Sequence, residues 1–460
     1  MKDFDSLYFV GAGGIGMAAL ERYFLAMGKH VAGYDRTPSD LTSALITEGV
    51  HIDFDDDPAL IPGEYRDPER TLVVYTPAVP STHRGLTYFR EHGFQVMKRA
   101  ALLGVVTAHS KGLCFAGTHG KTTTSSMAAH MLHDSGIGCN AFLGGVLRNY
   151  DSNFLLSTTS PYSVIEADEF DRSFHHLHPF VAVVTSTDPD HLDIYGTVEN
   201  YLESFAHFTE LVQPGGALIV HTGLALKPRV AEGVKTYTYS RDEGDFHAVN
   251  IRRGDGEIIF DLVTPWETVN DINLGVPVEI NIENAIAAMA ACRLVDVPFE
   301  GMKAAMATFM GAKRRFEFWL KEPGEHGKVM IDDYAHHPDE LRASITSVRA
   351  LYPGRQLTVI FQPHLYTRTR DFAPGFASAL SLADEVILLP IYPAREEPIP
   401  GVTSEMVLEQ VTSTKKCIYS KENLINSIHL SNFDVLLTAG AGDIANLLPQ
   451  ICDELKKQKR

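Results

Sequence analysis

A chain of 460 residues with 45% hydrophobic content is too long for a single core, so two or three globular domains of about 100–200 residues each are expected. Its formal net charge of −18 argues against sequence-independent binding to nucleic acid, which needs a surplus of lysine and arginine. Five cysteines without a close pair fit a reducing compartment and argue against a zinc site, and no stretch approaches the ~18 apolar residues of a membrane span, so a cytoplasmic protein without membrane insertion is expected.

Residues 6–10 (Ser-Leu-Tyr-Phe-Val) read as a buried strand, followed by Gly11-Ala12-Gly13-Gly14-Ile15-Gly16 and a helical apolar pattern through Met17, Leu20 and Phe24. A second strand, Val31 to Tyr34, ends in Asp35, which stands 19 positions beyond Gly16. Gly11, Gly13, Gly16 and Asp35 match the dinucleotide fingerprint, in which the glycines let a diphosphate approach and the acid takes a ribose. That pattern alone fits an NAD-dependent oxidoreductase, and it equally fits any nucleotide diphosphate. Tyr75 to Pro80 looks like a strand end with a rigid turn, and a first α/β domain is placed at 1–107.

Leu113 to Ala116 feed Gly117-Thr118-His119-Gly120-Lys121-Thr122-Thr123-Thr124, and Met127, Ala128, Met131 and Leu132 then fall on one helical face. Strand, glycine loop and helix make a phosphate loop, where backbone N–H groups and the positive helix end converge on an anion. Lys121 would reach the outer phosphates and the Thr122 hydroxyl would take a place on Mg²⁺. The strict spacing has glycine where Phe115 stands, so the loop is a shortened variant. Tyr162 to Ile165 then run into Glu166, Asp168, Glu169 and Asp171; acids past a strand's carboxyl end suit a metal beside a nucleotide, or simply a solvated loop. Val181 to Val184 form another strand, and His191 among Asp188, Asp190 and Asp193 reads as either a metal ligand or a surface histidine. His175, His176 and His178 are irregularly spaced and read as loop.

Ala217 to Val220 form a further strand, residues 234–280 alternate like a small antiparallel appendage, and Asn281 to Ala290 is a packed helix carrying Asn284. Gly311-Ala312-Lys313-Arg314-Arg315 marks a change of character, which places the central domain at 108–312 and the last at 313–460. Strand-like runs at 328–332, 356–361, 384–389 and 434–438 alternate with helix-length segments, which predicts a third α/β domain. Its polar residues cluster where strands end, at 332–338 and 362–371.

Gly13-Gly14-Ile15-Gly16-Met17, GTHGKTTT at 117–124, EADE at 166–169, DHLD at 190–193, RRFE at 314–317, DDYAHHP at 332–338 and FQPHLYTRTRD at 361–371 occur in that order. With these seven motifs nearly the whole chain resembles the Mur ligase family, the ATP-dependent amino-acid ligases of peptidoglycan precursor synthesis. The resemblance implies three domains: a Rossmann-like N-terminal domain for a UDP substrate, a P-loop ATPase-like centre and a Rossmann-like ligase domain. It implies UDP-N-acetylmuramate, L-alanine and ATP as substrates, with Mg²⁺. Gly13, Gly14, Ile15, Gly16 and Asp35 would hold the UDP moiety. Gly117, Thr118, His119, Gly120, Lys121, Thr122 and Thr123 would hold ATP, with Asn284 at adenine, Arg315 at the phosphates and Asp333 at ribose. Lys121, Glu166 and His191 would be catalytic, Thr122 and Glu166 would bind the metal on ATP, and His191 with Glu166 a second metal. Tyr334, His336 and Arg368 would surround L-alanine. Asp332, His337 and Arg370 have simple structural roles open to them and are left out.

Three departures bear on the branch. Ile280 stands where the family often has histidine, Leu365 where an arginine commonly follows Gln-Pro-His, and Ala206 where several members carry a carbamylated lysine. No lysine occurs between Lys121 and Lys227, which agrees with an alanine-adding branch. A murein-peptide recycling ligase and a folylpolyglutamate-type ligase are the related alternatives.

Overall fold

Short apolar runs become parallel strands when helices cover both faces of a sheet, because each strand is then buried on two sides. In the computed structural model, which describes residues 4–254, 256–324, 327–394, 396–427 and 433–457, this happens three times. The first sheet holds β1 (Ser6–Val10), β2 (His30–Tyr34), β3 (His51–Asp53), β4 (Thr71–Tyr75) and β5 (Gln95–Lys98) in the order β3-β2-β1-β4-β5, all parallel. All five residues of β1 are buried. Helices α1 (Ile15–Ala26), α2 (Asp40–Glu48), α3 (Arg84–Glu91) and α4 (Arg99–Thr107) connect or follow its strands.

The second sheet contains β6 (Lys111–Ala116), β7 (Asn140–Leu147), β8 (Ser152–Leu155), β9 (Tyr162–Glu166), β10 (Pro179–Val184), β11 (Ala217–His221) and β12 (Lys235–Tyr239). Its order is β12-β11-β10-β6-β9-β7-β8, parallel except for the β7–β8 pair. Central β6 enters the phosphate loop directly, and α5 (Lys121–Asp134) leaves it. Helices α6 (Leu192–Tyr195) and α7 (Val198–Glu210) follow β10.

One helix explains how these two sheets come to share a core. Helix α1 buries Met17, Ala18, Ala19, Leu20 and Phe24, and its Tyr23 ring lies 5.8 Å from Phe142 of β7 and 6.2 Å from Phe154 of β8. The glycine loop at the start of α1 is therefore carried to the edge of the second sheet. Met1–Val249, Asp261–Ile272 and Glu283–Phe309 accordingly form one compact unit.

Beyond β12, the expected appendage resolves into two parts. Strand β12 joins the second sheet beside β11, and only β13 (His247–Gly254), β14 (Glu257–Val263) and β15 (Thr268–Asn273) make a separate three-stranded sheet. Helices α8 (Ile280–Arg293) and α9 (Phe299–Thr308) follow.

Asn250–Phe260, Asn273–Ile282 and Met310–Arg460 form the other compact unit. Its sheet comprises β16 (Glu317–Lys321), β17 (Val329–Asp333), β18 (Leu357–Phe361), β19 (Glu385–Leu388), β20 (Lys415–Ile418) and β21 (Val435–Ala439). The order is β16-β17-β21-β18-β19-β20, with only β16 antiparallel to its neighbour. Helix α10 (Pro338–Leu351) follows β17 and α11 (Tyr366–Leu380) follows β18. The four strands expected at 328–332, 356–361, 384–389 and 434–438 are β17, β18, β19 and β21, each within one or two residues at its ends. Among the described residues no helix is long and apolar enough to cross a membrane.

Candidate active site

The phosphate loop is built by two glycines in the left-handed region. Gly117 has φ +141° and Gly120 has φ +81°, and each is crowded: a Cβ on Gly117 would lie 2.0 Å from Thr185 Oγ1, and one on Gly120 2.7 Å from Asn284 Oδ1. Neither position admits a side chain. Asn284 Oδ1 also accepts from Thr124 Oγ1 at 3.2 Å, so the expected adenine-side residue meets the loop in the structure. Thr118 and His119 behave differently from expectation. Their main-chain amides donate to the Ser186 carbonyl at 3.3 Å and the Ser186 hydroxyl at 2.8 Å, and the His119 side chain is largely exposed. The donors left for an anion are the first-turn amides of α5, which no residue of the helix can accept from. Sequence spacing cannot show this, because Ser186 comes from the far end of β10.

Glu166 ends β9 beside this loop. The Thr122 hydroxyl hydrogen-bonds to it, and the Gly144 amide donates to Oε2 at 3.1 Å. Burial pushes its carboxyl up; the Thr122 bond, the Lys121 charge and the Gly144 amide pull it down. A Cβ on Gly144 would sit 2.3 Å from Glu166 Oε2, so any larger residue there would displace the carboxylate. Thr122 and Glu166 are thus brought together as expected. Their oxygens are hard ligands of the kind Mg²⁺ accepts, and Mg²⁺ commonly needs only one or two protein ligands beside phosphates and water.

His191, expected with Glu166 at a second metal, stands on the loop that opens α6. It has φ +52° at the start of α6, its ring packs edge-on to Phe170 at 5.1 Å, and Nε2 lies 3.6 Å from Asp190 Oδ2. Among the described residues, no three His, Cys, Asp or Glu side chains gather as a metal-binding group. The imidazole thus meets the segment that follows Glu166 as well as Asp190 of its own loop. The side chain of Asp193 lies outside the described residues.

The first glycine loop also differs in detail from a ribose-binding site. Asp35 Oδ2 accepts from the Gly13 amide at 2.7 Å and Oδ1 from the Thr37 amide at 3.1 Å, so the carboxylate braces its own loop. Gly16 is tight against Arg99: a Cβ there would lie 2.6 Å from the guanidinium. Arg99 itself is 3.4 Å from Asp168 Oδ2. A cavity of about 240 Å³ joins these parts, with Gly14, Ile15 and Gly16 on one wall and Arg99, Glu166 and Asp168 on another. Arg99 opens α4, and nothing in its local sequence marks it as part of this site.

In the second unit, β17 ends in Asp332 and Asp333. Arg314, with φ +60°, spends its guanidinium on Asp332 at 3.2 Å and on the carbonyls of Gly440 and Gly442, and so acts as a brace. Asp332 is fully buried, and desolvation raises its pKa to about 6 against the opposing Arg314 charge. Arg315 is presented next to it, 5.7 Å from the Tyr334 ring centre. Asp333 accepts from the Ser344 hydroxyl; burial pushes its carboxyl up while that bond and the Arg315 charge oppose. His336 packs 5.3 Å from Tyr334, and burial pushes its imidazole toward the neutral form, helped by the Arg368 and Arg315 charges and opposed by Glu340. Arg315, Asp333, Tyr334, His336 and Arg368 are therefore gathered beyond the carboxyl ends of β17 and β18, two interior strands of the sheet. Arg370 pairs with Asp371 at 2.7 Å, whereas Arg368 has no ion pair among the described residues.

Comparison with known proteins agrees across the whole chain. Residues 6–111 match the model described as Mur ligase family, catalytic domain, residues 115–292 the Mur ligase middle domain, and residues 314–442 the Mur ligase glutamate ligase domain. A protein of Phocaeicola vulgatus named UDP-N-acetylmuramate–L-alanine ligase is 58% identical over 454 residues, covering 98% of both chains. One of the same name from Parabacteroides distasonis is 59% identical over 456 residues, covering 99% of this chain and 98% of its own. Among solved structures, the UDP-N-acetylmuramate–alanine ligase of Thermotoga maritima superposes with TM-score 0.81 at 24% identity, covering 98% of this chain and 99% of its own. A murein peptide ligase of Psychrobacter arcticus superposes with TM-score 0.64 at 21% identity, covering 98% of each. Both likenesses bear on the fold.

Proposed function

The chain belongs to the Mur ligase family, and on that premise we propose that it joins L-alanine to the lactyl carboxylate of UDP-N-acetylmuramate, converting ATP to ADP and phosphate in peptidoglycan precursor synthesis. The observation that carries this reading furthest is the cavity shared by Gly14 to Gly16 and Glu166. A nucleotide-sugar carboxylate held by the first loop would meet the carboxylate that serves the ATP metal there. An oxidoreductase has no use for that arrangement. Cytoplasmic location is part of the same reading.

A carboxylate resists attack by an amine, so it must first acquire a leaving group. Its oxygen attacks the γ-phosphorus of ATP and ADP departs, leaving an acyl phosphate. The alanine amine, having shed a proton, then attacks the carbonyl carbon and phosphate departs. The protein's task is mainly to position groups and neutralise charge. First-turn amides of α5 cradle the phosphates, Lys121 neutralises charge on the transferring group, and Asn284 borders the nucleotide. Thr122 and Glu166 would hold Mg²⁺, which when bound screens the phosphate oxygens. His191 with Glu166 would hold a second metal near the acyl phosphate. In the second unit Arg315 is assigned to phosphate and Asp333 to ribose, with Tyr334, His336 and Arg368 around the amino acid. Domain limits of 1–107, 108–312 and 313–460 complete the reading.

The test is phosphate release from ATP in mixtures that omit one substrate at a time. Release should require UDP-N-acetylmuramate and L-alanine together, and replacing alanine by murein tripeptide should abolish it. Turnover with the tripeptide and none with alanine would move the assignment to a recycling ligase.

A further inference from the structure

Glu169 takes no part in the chemistry above, yet it is the closest ionised partner of the phosphate-loop lysine. Lys121 has three N–H bonds and no acceptor. They are directed to the Gly117 carbonyl at 2.6 Å, to Glu169 Oε1 at 3.0 Å and, more loosely, to the Thr118 carbonyl at 3.4 Å. Glu169 Oε2 is 2.8 Å from the same nitrogen, in ion-pair contact without hydrogen-bond geometry. The Lys121 side chain is 14% exposed and that of Glu169 only 2%.

Glu169 is itself anchored. The Tyr195 hydroxyl donates to its main-chain carbonyl, Ser204 Oγ lies 3.5 Å from that hydroxyl, and the Arg172 guanidinium sits 4.8 Å from the Tyr195 ring centre. The main chain of Glu169 is thus held by α6, while Lys121 supplies the hydrogen bond to its buried carboxylate. Since every donor of Lys121 is already engaged, an ammonium that turns to the outer phosphates must weaken its bond to Glu169. Burial makes that exchange consequential, because a desolvated carboxylate left without its cation is strongly unfavourable.

We propose that Glu169 is a positioning residue that competes with the ATP phosphates for Lys121 and so lowers the affinity of the loop for ATP. The proposal rests on the assignment of Lys121 to the ATP phosphates. It predicts a change of sign that a merely structural role cannot give: removing the Glu169 charge tightens ATP.

The experiment is titration calorimetry of Mg-ATP against four full-length proteins: wild type, Glu169→Gln, Lys121→Ala and the double variant. Binding of UDP-N-acetylmuramate to each serves as the control for an intact fold. Glu169→Gln should bind ATP roughly tenfold more tightly, the scale of one charge-assisted hydrogen bond. In the Lys121→Ala background the same substitution should change ATP affinity by less than about twofold, because the competition has been removed. Unchanged or weaker ATP binding by Glu169→Gln, with normal UDP-substrate binding, overturns the proposal alone. So does tightening that persists without Lys121, since the carboxylate would then act through its field on the phosphates. Wild-type ATP affinity in Lys121→Ala overturns the phosphate-loop assignment and the proposal with it. Should Glu169→Gln fail to fold, Glu169→Asp keeps the charge but withdraws it by one methylene, and should tighten ATP by a smaller factor; no tightening there is the contrary result.

Discussion

Two glycine loops open helices in the same unit, and the partners around them set them apart. At the start of α1, the Gly13 amide is consumed by Asp35 and the nearby cation is Arg99, borrowed from α4. At the start of α5, the Thr118 and His119 amides are consumed by Ser186, and the cation is the loop's own Lys121 beside Thr122 and Glu166. A strand, a glycine turn and a helix N-terminus make an anion site in either case. The side chains just after the glycines decide which anion: a lysine and a hydroxyl beside a carboxylate suit a metal triphosphate, and a loop without them suits a passive diphosphate.

That contrast can be broken most severely at Lys121. Lys121→Ala should abolish ligation, with a loss of roughly 3 kcal/mol or more in transition-state stabilisation, while UDP-N-acetylmuramate still binds. Steady-state assays beside calorimetry check both halves. The next largest effect lies outside both loops. Arg368, without an ion pair among the described residues, is expected to clamp the alanine carboxylate through a two-point fork that lysine cannot reproduce. Arg368→Lys should raise the KM for L-alanine about tenfold or more and leave those for ATP and UDP-N-acetylmuramate nearly unchanged. Initial rates with each substrate varied in turn decide it, and an unaltered alanine KM ends the assignment.

A milder change sharpens the contrast from the other loop. Gly16→Ala places a Cβ against the Arg99 guanidinium, whose flexible end can yield. The KM for UDP-N-acetylmuramate should rise by about three- to tenfold, with that for ATP unmoved, since a partly displaced charged contact is worth about 1 kcal/mol. A shift in the ATP constant instead would mean that the loops are not separate in function. The smallest catalytic effect belongs to Glu21, on the same helix. Glu21 is fully buried, and neither carboxyl oxygen has a hydrogen-bond partner among the described residues. Burial pushes its pKa well above the ordinary value of 4.5. The folded form therefore holds a proton that the unfolded chain releases, so stability is greatest below the ordinary glutamate range and declines as pH rises toward the raised value. Glu21→Met should gain on the order of 1–2 kcal/mol near neutrality, less near about pH 5, and leave kinetics unchanged. Melting curves at the two pH values show whether the gain narrows on acidification as required.

The difference between the loops also marks how far the sequence could be read. Strands β1, β6, β17 and β18 were legible because parallel strands under helices must be continuous apolar runs, and both glycine loops were legible because their residues are contiguous. Thr122 lies with Glu166, and Tyr334 with His336 and Arg368, in line with what the family resemblance implies. Other partners depend on side-chain direction or long-range packing. Arg99 and Ser186 reach the loops from distant segments, and Glu169 was hidden among four acids of which spacing could not say which faces inward. Asp35 and His191 stand at the expected positions, and their local partners, the Gly13 amide and the left-handed turn at His191, are details that spacing does not show. Alternation reveals β12 as a strand but not its neighbour, which is β11 of the second sheet.

In the proposed reaction the substrate's carboxylate attacks ATP in the cavity lined by Gly14–Gly16 and Glu166. The most direct test traces oxygen through a single turnover. UDP-N-acetylmuramate labelled with ¹⁸O in the lactyl carboxylate is mixed with ATP, L-alanine and enzyme, and the released phosphate is analysed by mass. Attack by the carboxylate transfers one of its oxygens to phosphorus, so each phosphate released should carry one ¹⁸O. Unlabelled phosphate, with the amide still formed, would contradict it.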